Sequence, residues 1–340
     1  MSRFRTTFAL FAAALIAAGF LSACGGAGDK SGESPQAVLD EATLEGIDSG
    51  KIDLTLGVKA SGPEGGNVDV SLAGSFQGEG KGTLPQLDMT AKAKGSINSK
   101  NVDFDGGIVL LPNSAYVNYE GTEYEVDPTT FSFVESTLEQ AQREGGAETG
   151  SDGAAACQEE LGKLKVAEFV EGDANEGSAD VDGTETAKIS GDLDVPGALD
   201  ALLEVVESPG CRPQVALAGP LPSQAEIDEA KDEVSSSVKS AKVDIYVGND
   251  NIVRQISAQL KIEPQNGGSG PKSAEVDIDL KLTGVNEEQT ISAPEDAKPL
   301  SKLFLKLGVN PLELLGLLEG EGGGEGLSEL LEGLGASQLR

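Results

Sequence analysis

Alternation of apolar and polar residues with a period of two constrains this chain more than any other feature. It recurs in short segments separated by Gly-rich turns, because side chains on a strand point alternately to the two faces of a sheet. Such a pattern predicts an antiparallel sheet with one apolar and one polar face. The clearest segments are Ile52–Val58, Val68–Phe76, Leu87–Lys94, Val102–Ile108 and Val276–Leu282.

Weaker patterns fill the remainder of the chain. Further strands are predicted at Tyr116–Val126 (a hairpin), Val166–Glu171, Thr184–Val195, Val243–Val247 and Ile252–Ile262. Helical spacing with terminal Pro, Ser or Gly predicts helices at Pro35–Gly46, Pro128–Arg143, Pro196–Glu207 and Ser223–Ser235. About ten strands and four helices, without βαβ alternation, indicate an α+β fold with a mainly antiparallel sheet.

The N-terminus has the organisation of an export signal. Arg3 and Arg5 precede the apolar stretch Phe8–Leu21, which ends in Leu21-Ser22-Ala23-Cys24. This ending resembles the lipobox of bacterial lipoproteins, which implies cleavage after residue 23 and a diacylglycerol anchor on Cys24. The alternative is an ordinary secretory signal followed by a coincidental cysteine.

Export with a lipid anchor predicts a protein attached to the extracytoplasmic side of the cell membrane. Residues 1–23 are then the signal peptide, and residues 24–35, which are rich in Gly and Ser, form a flexible tether. Two acyl chains hold a protein on a membrane far more durably than one chain does.

The two remaining cysteines, Cys157 and Cys211, form an even pair in an oxidising compartment. We predict a disulfide between them, closing a loop of about 55 residues and contributing roughly 4 kcal/mol in the loop-entropy model. Two free buried thiols are the alternative. A C-x-x-C redox site is excluded by their spacing.

Composition excludes several classes of function. The formal net charge of −32 opposes nucleic-acid binding, and the absence of His removes the usual acid–base group and metal ligand. Gly248–Asn251 and the acidic Asp173–Asp182 segment lack the spacing of a calcium-binding loop. Asp277 and Asp279 are interpreted as a solvated strand face. We expect no enzyme activity, no cofactor and no metal.

The order of elements resembles the LppX/LprG-type actinobacterial lipoproteins, relatives of the periplasmic carrier LolA. The resemblance rests on the lipobox, the short helix and the strand run ending in LLPNSAYVNYEGTEYEVDP. It continues through VDGTETAKISGDLDV and the pair AKVDIYVGNDNIVRQISAQLKI and SAEVDIDLKLTGVNEEQTISAPED, covering Cys24 to Asp296. It implies a half-open β-barrel wrapped around helices, with an apolar cavity for the acyl chains of a lipid or lipoglycan.

We assign residues 36–299 to this lipid-binding domain, which we expect to be monomeric. Small residues on the apolar face leave room for a cavity, although a plainly packed core is the simpler interpretation without the resemblance. The candidate lining residues are Ala91, Ala258 and the helical positions Leu199, Leu202, Leu203 and Val206. The alternative function is a non-enzymatic cell-surface scaffold or interaction protein without lipid cargo.

Residues 300–340 form a C-terminal extension rich in Leu, Gly and Glu. Asn310-Pro311 predicts a helix from Pro311 to Glu319, and a second helical piece follows at Leu327–Leu334. The apolar stripe of these pieces is predicted to cap the cavity mouth, to dock a partner or to dip into the membrane surface. The alternative is a mostly disordered tail with transient helices, because Gly interrupts both pieces.

Overall fold

A computed structural model describes most of the predicted domain. The described residues are 30–44, 46–62, 65–78, 85–97, 100–132, 160, 165–209, 211, 231, 236–264 and 271–308. Cys24, Cys157, the predicted helix Ser223–Ser235 apart from Lys231, and the two predicted C-terminal helices lie outside them.

In the described part of the chain, twelve strands form one sheet, and ten of its eleven strand pairings are antiparallel. They are β1 (Ser49–Ser61), β2 (Gly66–Gln77), β3 (Gln86–Ile97), β4 (Lys100–Leu111), β5 (Ser114–Tyr119), β6 (Thr122–Glu125), β7 (Val170–Val181), β8 (Thr184–Leu193), β9 (Val238–Gly248), β10 (Val253–Ile262), β11 (Ser273–Thr283) and β12 (Lys298–Pro299). The spatial order is β12-β6-β5-β4-β3-β2-β1-β11-β10-β9-β8-β7. The sheet is curved and unclosed, so the predicted fold class is confirmed.

The order of the strands in the sheet follows their order in the chain within two runs of strands. Consecutive strands β1 to β6 pair as a meander, as do β7 to β11. The two meanders join where β1 pairs with β11, with Leu54 opposite Leu280. Strand β12 is parallel to β6 and lies at one edge, whereas β7 forms the other edge.

Short helices with side-chain caps accompany the sheet. Helix α1 (Pro35–Glu41) begins after Ser34, whose hydroxyl accepts a hydrogen bond from the Ala37 amide. Helix α2 (Val195–Glu207) begins after Asp194, whose carboxylate accepts one from the Gly197 amide at 3.1 Å. Residues 128–132 are helical, and α3 (Ser301–Leu307) follows β12.

The half of the sheet that contains β7 to β11 is covered by a packed apolar core. Val38 and Leu39 of α1 are fully buried against the apolar residues of β8 to β10. A 3-10 turn, η1 (Val166–Phe169), contributes Ala167 to the same cluster. The cluster also contains Val170, Ala187, Ile189, Val195, Ala241, Val243, Ile245, Val247, Val253, Ala258, Leu260 and Val276.

The structure differs from the sequence predictions mainly around β7. The predicted strand Val166–Glu171 starts as η1, and the acidic Asp173–Asp182 segment, for which no element was predicted, lies almost wholly within β7. The register of β7 against β8 shifts twice, and Gly172 and Gly177 near these shifts have φ of 60° and 92°. Bulges that require glycine explain why this strand lacks regular apolar alternation.

The ends of two predicted segments also differ. Helix α1 ends at Glu41 rather than at Gly46, because the chain turns at Ala42 and Thr43 bridges to Ile252. At the other terminus, the predicted extension 300–340 begins with α3, which was not predicted.

Candidate functional site

The register of the strands collects the apolar positions on one face of the sheet. Directly opposite residues of antiparallel strands share a face. One row runs from Val70 on β2 through Ala93 on β3 to Phe104 on β4. The next row contains Leu72, Ala91, Gly106 and Tyr119. A third row contains Gly74, Met89 and Ile108, and we call the surface that these three rows form on β2 to β4 the open apolar surface.

Burial divides the apolar face into two unequal environments. Around β8 to β10 the apolar side chains are buried beneath α1 and η1. On the open apolar surface, Val70, Phe104 and Ile108 are 37%, 45% and 48% exposed to solvent within the described structure. Side chains of this size are normally buried, so their exposure on one contiguous surface indicates a surface that binds apolar groups.

Several positions on this surface carry small residues. Ala91 lies opposite both Leu72 and Gly106, and Ala93 lies between Val70 and Phe104. The ring of Phe104 lies over Gly106, where a Cβ atom would come within 2.7 Å of Phe104 Cζ. The space above the small residues of β4 is therefore occupied by an aromatic ring that is itself half exposed.

The candidate cavity residues fall in different environments. Ala91 is half buried on the open apolar surface, whereas Ala258 is 6% exposed within the packed core. Leu199, Leu203 and Val206 of α2 are half buried, and the side chain of Leu202 is not among those that the structure describes. Among the described elements, α2 packs mainly beside η1 rather than over β3.

The anchor and disulfide candidates are only partly within the described chain. Cys24 lies outside it, so lipidation remains a prediction. Cys211 is 1% exposed and disulfide-bonded. Cys157 lies outside the described residues, so the Cys157–Cys211 pairing also remains a prediction.

The opposite face of the sheet is polar and ion-paired. Lys92 is 3.2 Å from Asp105, and Lys188 is 3.0 Å from Asp244. The hydrogen bond to Asp244 raises the pKa of the Lys188 ammonium group. These pairs make the polar face an ordered, solvated surface.

A groove of about 680 Å³ lies on this polar face. Its lining includes Thr55, Lys94 and Asp277, and Gly57 leaves space at its centre. At its margin, Ser257 and Gln255 donate hydrogen bonds to the Asp279 carboxylate at 2.5 and 2.7 Å. Asp279 therefore accepts hydrogen bonds from the neighbouring strand β10. The groove lining also includes one row of apolar positions, Val70, Leu56, Ile278 and Ala258.

Sequence reasoning did not single out the three exposed apolar residues. Val70, Phe104 and Ile108 were each assigned only to an alternating strand. Their exposure depends on which part of the sheet is covered by α1 and η1, which periodicity does not reveal. The available signal was the small residue Ala93 on β3, which lies opposite both Val70 and Phe104, whereas Ile108 lies opposite Met89.

The described residues lack two other kinds of site. No group of three or more Cys, Asp or Glu side chains in this part of the chain is placed to hold a metal ion. No helix within the described ranges is long and apolar enough to cross a membrane.

Comparison with known proteins finds similarity among solved structures. No protein-family model and no curated protein matches the chain. LprF from Mycobacterium bovis is 13% identical, covering 80% of this chain and 100% of that chain, with a TM-score of 0.35. The lipoprotein LppX from Mycobacterium tuberculosis is 11% identical, covering 76% and 100%, with a TM-score of 0.26. A LolA-superfamily protein from Nitrosomonas europaea is 8% identical, covering 73% and 93%, with a TM-score of 0.17.

The resemblance to LppX-type and LolA-like proteins is thus found among solved structures as well as in the sequence. These matches transfer no ligand, residue role or mechanism to this chain. The function proposed for this chain therefore rests on its own residues.

Proposed function

We propose that this chain is a lipid-anchored extracytoplasmic lipoprotein that binds the acyl chains of a lipid or lipoglycan. Binding takes place on the open apolar surface, and the protein carries its lipid within the cell envelope. The observation that carries the proposal is the exposure of Val70, Phe104 and Ile108 on one apolar surface.

The chemistry of this surface fits an acyl chain. The positions of β2 to β4 that share its face are Gly66, Val68, Val70, Leu72, Gly74, Phe76, Leu87, Met89, Ala91, Ala93, Gly95, Ile97, Lys100, Val102, Phe104, Gly106, Ile108 and Leu110. Lys100, the first residue of β4, is the only one of these positions that carries a charge, and none carries a hydroxyl group. Transfer of apolar surface out of water contributes about 25 cal/mol per Å², which is the driving force that an acyl chain offers.

The Leu-Ser-Ala-Cys motif supports the membrane attachment. A diacylated Cys24 would keep the protein at the surface from which a lipid is taken. Replacing Cys24 by Ser should release the protein from the membrane fraction. If the variant stays membrane-bound, the lipobox interpretation is wrong.

Lipid mass spectrometry after non-denaturing extraction tests the binding. The wild-type protein should retain acyl lipid in a stoichiometric amount. Ile108→Glu should lose it, because a carboxylate on this surface would have to be desolvated by the bound chain. Thr90→Glu is the matched control, since Thr90 lies on the polar face of the neighbouring strand and its variant should retain the lipid.

The alternative function makes the opposite prediction. A cell-surface scaffold without lipid cargo should be extracted without lipid, whatever residue occupies position 108. That result would exclude the carrier proposal while leaving the lipid anchor intact.

A further inference from the structure

The chain segment that leads to α1 is fixed to the domain before the helix begins. The side chain of Lys30 is 4% exposed, and its Nζ lies 2.9 Å from Glu41 Oε2 at the end of α1. The Glu33 amide donates a hydrogen bond to the Lys30 carbonyl at 3.1 Å, which closes a turn. A buried lysine that is ion-paired does not leave its place readily.

Asn175 fastens this turn to the edge of the sheet. Its Nδ2 donates hydrogen bonds to the carbonyl oxygens of Lys30 and Glu33, both at 3.0 Å. The Gly177 amide donates to Asn175 Oδ1 at 2.9 Å, which orients the amide group. Asn175 belongs to β7, so the N-terminal segment meets the domain at the β7 edge. We call the contacts of Lys30 and Asn175 the tether clamp.

The tether clamp shortens the free tether. Only Gly25 to Asp29 separate Cys24 from Lys30, rather than the twelve residues of the predicted tether 24–35. Six residue steps span about 20 Å when fully extended. We infer that the lipid anchor holds the β7 edge of the sheet next to the bilayer and fixes the orientation of the domain on the membrane.

This inference rests on the proposed lipidation of Cys24. It implies that the open apolar surface does not face the anchoring bilayer directly. From β7 to β2 there are six strand spacings, which is about 29 Å along the sheet. The edge next to the membrane is also acidic, because β7 carries Glu171, Asp173, Glu176 and Asp180 but no Lys or Arg.

Tryptophan fluorescence gives a direct test, because the chain contains no Trp. Single reporters are introduced at exposed positions by Glu176→Trp on β7, Asn67→Trp on β2 and Glu125→Trp on β6. The full-length lipidated protein is bound to phosphatidylcholine vesicles that contain a dansyl-labelled lipid. Energy transfer should be about twofold or more stronger from position 176 than from the other two, given the distance across the sheet. Equal transfer from all three positions, or stronger transfer from position 67 or 125, would overturn the inference.

Breaking the tether clamp provides a second measurement. Asn175→Ala, combined with Lys30→Ala, should reduce the excess transfer from position 176 because the free tether is then longer. Asn101→Ala, a change at an exposed position on β4, is the control and should leave the excess unchanged. A clamp variant that keeps the full excess, with an unchanged circular dichroism spectrum, would show that the clamp does not orient the domain.

Failure of the anchor can be distinguished from failure of the orientation. If the full-length protein does not float with vesicles, Cys24 is not lipidated and the proposed attachment fails. The orientation is then tested with a short His tag in place of residues 1–24, bound to nickel-chelating lipids. The order of transfer efficiencies at the three reporters confirms or overturns the role of the clamp in that form.

Discussion

The ring of Phe104 lies over Gly106, two residues further along the same strand, and a Cβ atom on Gly106 would stand 2.7 Å from Phe104 Cζ. The backbone of Gly106 is buried for this reason, although the ring that covers it is 45% exposed. At this point the surface therefore consists of the Phe104 side chain packed directly on the backbone of Gly106. An acyl chain can contact the exposed face of the ring, or take its place if the ring rotates.

Replacing Phe104 by Ala should weaken lipid binding much more than it weakens the fold. Loss of a half-exposed ring should lower the free energy of unfolding by only about 1 kcal/mol. Phe131→Ala is the comparison, because Phe131 is 6% exposed and its loss should cost about 3–5 kcal/mol. Urea denaturation and lipid mass spectrometry on both variants measure the two effects. Equal stability losses would contradict the exposure of Phe104.

Inserting a large ring should separate the two alanines that the sequence analysis placed in one cavity. Ala91→Trp should displace lipid with a small change in stability, because Ala91 lies on the open apolar surface. Ala258→Trp should destabilise the fold by about 1–3 kcal/mol or more, because Ala258 is in the packed core. Thr90→Trp, on the polar face, is the control for added bulk. If Ala91→Trp keeps the full lipid load, the binding surface is misplaced.

The pKa of Lys306 is raised above its ordinary value of 10.5 by its hydrogen bond to Glu120, whose Oε2 lies 2.5 Å from Nζ. A raised pKa in the folded state means that the ion pair stabilises the fold below the ordinary pKa. This contribution is lost as the pH rises through the raised pKa. NMR titration of the Lys306 side chain should show the higher pKa, and Glu120→Gln should lower it. An unchanged pKa in that variant would contradict the contact.

The strands with regular alternation could be predicted because burial of one face of a strand requires an apolar residue at every second position of the sequence. The positions Ile52–Val58 and Val276–Leu282 lie within β1 and β11, whose pairing brings the two meanders together. Helix α2 was predicted within one residue of its start, since Pro196 marks it. Local signals of this kind do not depend on the remainder of the fold.

Features that depend on long-range contacts could not be predicted. Strand β7 is acidic and bulged, so its apolar pattern is weak, and only its first two residues were predicted as part of a strand. Whether Ala91 or Ala258 is covered depends on where α1 packs, which no periodicity specifies. The contact of Asn175 with Lys30 joins residues 145 positions apart, and neither residue type marks it in the sequence.

The predicted disulfide should protect both Cys157 and Cys211 from thiol reagents. Cys211 is 1% exposed and already disulfide-bonded, so labelling of the denatured, unreduced mature protein should find no free thiol. Cys157→Ser, with Cys211→Ser, should lower the free energy of unfolding by roughly 4 kcal/mol for a loop of about 55 residues. Detection of two thiols in the wild-type protein would exclude the pairing.

Two truncations should show where the domain ends. Truncation after Pro299 removes α3 and with it Leu303, which is 6% exposed, together with the hydrogen bond from the Leu300 amide to the Glu125 carbonyl. Because both interactions hold α3 against the β6 edge, this variant should lose about 2–5 kcal/mol, the cost of emptying a buried leucine site. Urea denaturation measures the loss.

Truncation after Gly308 keeps α3 and removes both predicted C-terminal helices, Pro311–Glu319 and Leu327–Leu334. Gly308 has a φ of 71° and its amide donates to the Leu305 carbonyl, so α3 ends there with its own cap. The sheet should therefore keep its stability in this variant. The lipid content decides the role of the tail: loss of lipid with unchanged stability would identify residues 309–340 as a cover of the open apolar surface. Unchanged lipid content and stability would show that the tail is neither a cover nor part of the core, and equal destabilisation by the two truncations would contradict the placement of the domain end at Gly308.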